Sequence, residues 1–165
     1  MSRELCLRNR QRLCRINLRQ LREIVETTLH EHLGVTEYEL GVHLVAAPTM
    51  TRVNEAFLQH AGSTDVITFD YTPVAPLTGR RSPKACRFPS PAALHGEMFV
   101  CVDEAVAQAK RFRTTWQSEV VRYILHGLLH LGGFDDKRPL ARRTMKQVEN
   151  RLLRRVAHRF DLSKL

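Results

Sequence analysis

The sequence predicts an α+β fold: a small mixed β-sheet packed with several helices, in a single domain spanning residues 1–165. Three observations lead there. A chain of 165 residues has the length of one domain able to bury a core. Short β-branched or alternating segments are interspersed with longer segments of helical period. No internal repeat recurs, and no linker separates two apolar clusters.

Along the chain, Asn17 is placed to cap a helix whose apolar positions Leu18, Leu21, Ile24, Val25, Leu29 and Leu33 follow helical spacing, with Gly34 as its stop. EYELGVHLVA (37–46) alternates Tyr38, Leu40, Val42, Leu44 and Ala46 with more polar neighbours, the pattern of a strand. Pro48 and Thr49 open a second helix that runs through Val53 and Phe57 to Gly62, and DVITF (65–69) is a second strand. Residues 70–94 hold five of the seven prolines and the bases Arg80, Arg81, Lys84 and Arg87, which reads as a long loop. GEMFVCV (96–102) is a third strand, and Asp103 is positioned to cap a helix through Ala109 and Phe112. Gln117 to Leu131 is strongly helical, and a basic helix over 139–160 begins with Pro139 in its first turn. Its inner stripe is Val148, Leu152, Val156 and Phe160.

The four cysteines show no CxxC spacing, and four in this length do not suggest a disulfide scaffold. No apolar run reaches the ~20 residues of a membrane-spanning helix, and the basic N-terminus has no signal-peptide core. A cytoplasmic protein with free thiols and no membrane partner is the expectation. The net charge of +9 sits at the two ends. Residues 1–22 carry seven Arg against Glu4, and residues 137–165 carry ten Lys or Arg against Glu149 and Asp161. The stretch between them is acidic. Phosphate-rich partners are drawn to such ends by counterion release; a plain solvated surface is the alternative.

HGLLHLGGFDD (126–136) carries the chemistry. At 100° per residue, Val120, Val121, Ile124, Leu125, Leu128 and Leu129 occupy one half of the helix, while His126 and His130 stack about 40° apart on the other. A histidine serving only the core would lie within the stripe. Two imidazoles one turn apart can share a cation. Gly132 and Gly133 then end the helix and turn the chain back, bringing Asp135 or Asp136 toward the same ion, with Asp136 favoured by its spacing. Two nitrogens and one carboxylate leave a fourth position for water, the pattern of a catalytic zinc site holding one ion per chain.

With these residues in hand, the motif resembles HGxLHLxGYDH of the YbeY family, bacterial metal-dependent endoribonucleases of ribosomal RNA maturation. VNEAF (53–57), STDVITF (63–69) and HGEMFVCVDEAVAQA (95–109) resemble that family's LNxxYR, TDVLSF and LGDIVIS-plus-helix segments, so the likeness covers residues 36–136. It implies a zinc-dependent single-strand endoribonuclease acting on 16S rRNA and in ribosome quality control, with ribosomal RNA and small-subunit components as partners. The resemblance assigns the zinc to His126, His130 and Asp136, and gives Asp135 a place beside the ligands. Two departures stand out. Asp136 replaces the family's usual third histidine, which removes positive charge from the site. Leu58 stands where the family has an arginine suited to phosphate; His60, Arg52, Arg80 and Arg81 are the candidate substitutes.

Two other readings compete. The spacing HxxxHxxGxxD is also that of metzincin peptidases, but their general base follows the first histidine, where this chain has Gly127. A non-catalytic ribosome-assembly or RNA-binding factor would keep the basic ends without cleavage. His30, His32, His43 and His158 read as surface or partly buried residues and Phe99, Phe112 and Trp116 as core, while the resemblance places the strand that follows His95 near the cleft and makes His95 a candidate for meeting substrate.

Overall fold

The computed structural model describes residues 2–73 and 93–165. One four-stranded sheet organises them, in the order β1-β2-β4-β3. β1 is Arg3–Asn9, β2 Tyr38–Val45, β3 Val66–Asp70 and β4 Leu94–Cys101. β1 and β4 both pair parallel to β2, and β3 runs antiparallel to β4, so the sheet is mixed as expected.

β1 is an element the sequence reading did not assign. Its alternation is visible in hindsight: Leu5 and Leu7 face the core while Glu4, Cys6 and Arg8 face away. Four positive residues among the first twelve mask this short apolar signal. Part of that charge has structural work, because the Arg3 guanidinium donates to the Thr36 carbonyl; β1 is also held by Arg22 of the first helix, which donates to the Leu5 carbonyl.

The helices are α1 (Leu18–Thr27), α2 (Ala47–Val53), α3 (Val102–Phe112), α4 (Trp116–Leu131) and α5 (Pro139–Arg159). Asn17 caps α1 by accepting from the Gln20 amide, and Gly34 adopts the left-handed conformation just beyond the helix. Both α1 and α2 continue into a π-helical turn, Thr28–His32 and Asn54–Leu58 respectively. α4 is capped by Thr115, whose hydroxyl accepts from the Ser118 amide.

α1, α4 and α5 bury Leu21, Ile24, Leu125, Leu128, Leu129 and Val156 against the inner sheet residues Leu40, Val42, Met98 and Val100. On the other face, Met50 of α2 packs with Val45, Ile67 and Cys101.

Two expectations are corrected. Asp103 does not cap its own helix: Cys101 holds that position, and Asp103 accepts instead from the Ala47 amide, capping α2 at 2.9 Å. A carboxylate inside the first turn of α3 lies near the start of α2 once β2 and β4 pair in parallel, and only tertiary contact reveals it. Phe112 is not core; it is 62% exposed at the end of α3. Arg80 and Arg81, with most of the proline-rich stretch, lie outside the described residues.

Gly96 is where the sheet leaves least room. A methyl group there would sit 2.6 Å from the Phe69 carbonyl and 2.9 Å from Leu131 Cδ2. Gly96→Ala is therefore expected to destabilise the fold by about 1–3 kcal/mol, the usual range for forced overpacking. Urea denaturation would check this, and an unchanged midpoint would show that β3 and β4 can part without loss.

Candidate metal centre

α4 brings His126 and His130 onto the face away from its apolar stripe, as the spacing requires. That face is not open to solvent: both imidazoles are partly buried. Gly132 and Gly133 end the helix, with Gly133 at φ 90°, and the chain returns so that Asp136 meets the two rings. The Nε2 atoms of His126 and His130 are 3.0 Å apart, and Asp136 Oδ2 lies 3.8 Å from each. A triangle with those sides has its centre about 2.1 Å from every corner, the bond length of zinc to imidazole or carboxylate. The donor set therefore fits one divalent ion. No other trio of His, Cys, Asp or Glu among the described residues converges in this way.

The rings are oriented for that role by their other nitrogens. His130 Nδ1 contacts the Phe134 carbonyl at 3.1 Å, which assigns the proton to Nδ1 and the lone pair to Nε2. His126 Nδ1 donates likewise to Glu149 Oε2 at 2.8 Å. Burial first, and then the adjacent His126, lower the pKa of His130, favouring the neutral imidazole that binds metals.

Glu149 is the residue the sequence reading missed. It is 2% exposed, and its Oε1 accepts from Arg122 at 2.8 Å and from Lys146 at 2.7 Å. Burial alone would raise its pKa, but the hydrogen bonds from His126, Lys146 and Arg122 outweigh that and hold it down at about 2. A signal did exist. Met145, Glu149, Leu152 and Val156 fall on one helical stripe, and an acid within the apolar stripe of a basic helix has to find buried partners.

The remaining sequence candidates separate by position. Asp135 Oδ1 accepts from the Lys137 amide, which fixes the turn that carries Asp136. Arg52 and His60 are exposed on α2 and the segment after it, and neither lines the cleft beside the ligands. Leu58 is 45% exposed.

The cleft itself has a volume of about 570 Å³, lies between α4 and α5, and is lined by His126 and Asp136 together with Arg122, Arg142 and Lys146. Arg142 is tied to the centre directly, since its Nε donates to the Asp136 carbonyl at 2.9 Å. Positive charge comes from Arg122 of α4 and from α5, then, and not from the position of Leu58. A second groove, of about 370 Å³, opens on the opposite sheet face. It is lined by Glu4, Glu39 and Glu97 beside Arg8, a poor surface for a polyanion.

The peptidase pattern fails on packing as well as on residue type. A side chain at Gly127 would meet Met98 and Thr68 at 3.1–3.2 Å, so this position faces the sheet and cannot present a general base to the ligands. Glu119 is no replacement, because it accepts from the Thr114 hydroxyl at 2.7 Å and pairs with Arg122.

Comparison with known proteins gives the family. The family described as Endoribonuclease YbeY matches residues 6–157, taking in part of β1 and most of α5, well beyond the 36–136 stretch that carries the motifs. Endoribonuclease YbeY of Salinibacter ruber is 32% identical over 123 residues, covering 74% of this chain and 73% of that protein. Its counterpart in Bacteroides fragilis is 36% identical over 129 residues, covering 78% of each. The solution structure of TM1509 from Thermotoga maritima superposes with a TM-score of 0.57 at 19% identity, over 93% of this chain and 89% of that one; this shows a shared fold.

Proposed function

The chain belongs to the Endoribonuclease YbeY family, and on that premise we propose that it hydrolyses phosphodiester bonds of single-stranded RNA at a zinc ion held by His126, His130 and Asp136. The observation that carries this reading is a three-atom ligand set opening onto a cleft lined with basic side chains. A bound zinc ion would supply Lewis-acid polarisation of a phosphoryl oxygen and lower the pKa of an attacking water.

The protein's own groups do the rest. Arg142 and Lys146 of α5 neutralise flanking phosphates, the task that Leu58 cannot perform. Glu149 holds the His126 ring and fixes its proton on Nδ1. We place the activity in the cytoplasm, in maturation of small-subunit 16S ribosomal RNA and in ribosome quality control, with that RNA and its subunit as partners. No helix among the described residues is long and apolar enough to cross a membrane.

The test is cleavage of a single-stranded ribosomal RNA fragment by the purified chain. Hydrolysis should stop on chelation and return with added zinc. Cleavage that proceeds undiminished in excess chelator would remove the metal from the reaction.

Arg142→Ala gives a finer check. If this guanidinium contacts one phosphate, RNA affinity should fall several-fold and the slope of log K against log salt should shrink by about one. Fluorescence anisotropy across a salt series would measure it, and an unchanged slope would place the RNA elsewhere.

A further inference from the structure

The deep wall of the cleft has features that metal binding and phosphate neutralisation leave unexplained. Tyr123 is 5% exposed, yet its hydroxyl has no hydrogen-bond partner among the described residues. The same is true of Gln108 Oε1, a buried acceptor on α3. Both residues line the cleft, Tyr123 one turn of α4 before His126 and Gln108 on α3. Buried polar atoms are rarely left unpaired, so two on one wall of one cleft point to a ligand that completes them.

The surroundings narrow its chemistry. Asp65 lines the same wall. Burial first, and then the carboxylates of Asp65, Glu119 and Glu104, push the Tyr123 phenol well above its ordinary pKa, so it stays protonated and donates. An acceptor amide and nearby carboxylates call for N–H donors on the ligand; the phenol calls for one acceptor. At the mouth stands Phe112, an exposed ring on which a planar group can stack. A cleft of about 570 Å³ is large enough for a nucleotide, since such sites run to roughly 300–1,000 Å³.

We propose that Tyr123, Gln108 and Phe112 form a nucleobase subsite beside the metal centre, selective for a base that bears an exocyclic amino group. The two protons of that amino group serve Gln108 Oε1 and the carboxylate side of the wall. A ring nitrogen of the base accepts from the Tyr123 hydroxyl. Uracil, with one imide N–H between two carbonyls, brings too few donors. The subsite rests on the reading of this cleft as the RNA site, and it would set which nucleotide lies next to the cleaved bond.

The experiment uses the zinc-loaded chain and the four nucleoside 5′-monophosphates, with binding followed by NMR line shifts. The phosphate is common to all four, so differences report the base. AMP, CMP and GMP should bind about fivefold more tightly than UMP, as one or two added hydrogen bonds imply. In Tyr123→Phe that preference should fall within about twofold, while zinc content and melting temperature hold, because the lost hydroxyl has no partner in the folded chain. Gln108→Met should act in the same direction. Equal binding of all four by the unmodified chain, no binding of any, or a preference unaltered in Tyr123→Phe would each overturn the proposal. Base preference without RNA cleavage would leave the subsite standing and sink the nuclease reading.

Discussion

His130→Ala is expected to remove bound zinc and to lower RNA cleavage about a thousandfold or more. A Lewis-acid ion is worth several kcal/mol in the transition state, and each ~1.4 kcal/mol is a factor of ten. Without His130, one imidazole and one carboxylate remain, too few to hold the ion in a fixed position. The fold should survive, because the ring is partly exposed and its one backbone contact, to the Phe134 carbonyl, is worth about 1 kcal/mol. Metal analysis, a cleavage assay and a thermal melt in chelator together decide the matter. Full cleavage by a zinc-free, folded His130→Ala chain would show that the reaction belongs to another part of the molecule.

The second large effect is expected at Glu149, and on stability as well as on metal. Glu149→Ala leaves His126, Arg122 and Lys146 around a buried gap that held their common acceptor. Breaking a buried charge network in this way costs about 3–5 kcal/mol, or roughly 10 °C in melting temperature for a chain of this size. Zinc affinity should fall about 10–100-fold, because His126 loses the group that fixes its tautomer and orientation. Glu149→Gln, which keeps the shape and an acceptor oxygen, should recover most of the stability and part of the affinity. A melting temperature and zinc affinity unchanged in Glu149→Ala would show that the network is incidental.

The same carboxylate gives the metal-free protein an acid limb. Its folded pKa, about 2, lies below the ordinary 4.5, so the unfolded chain takes up the proton first as pH drops. The stabilisation is complete above about pH 4.5 and is lost as the pH falls toward 2, amounting to about 3 kcal/mol. Acid unfolding of Glu149→Gln should lack this limb.

The elements easiest to read in the sequence were those whose evidence is local. α4 was legible because an apolar stripe and its opposite face repeat within a single turn. Asn17 and Gly34 marked the ends of one helical segment by backbone chemistry confined to a few residues. The long basic helix was found as well, with Pro139 in its first turn, but its role was not. Arg142 and Lys146 read only as charge, since nothing in a run of bases says which of them faces a cleft. Of the candidate substitutes for the arginine, Arg52 and His60 are neighbours of Leu58 in sequence and do not line the cleft, and Arg80 and Arg81 lie outside the described residues.

By itself, then, the sequence determined the candidate ligand trio. His126, His130 and Asp136 lie within eleven residues, and helix pitch followed by a glycine turn is enough to bring their donor atoms together. Tertiary structure alone decided what surrounds them. Glu149 reaches His126 from 23 residues away, Asp103 caps a helix 56 residues earlier, and β1 joins β2 across the whole of α1. Those contacts depend on how helices pack and strands pair, which hydrophobic burial settles for the molecule as a whole and no short window of sequence records.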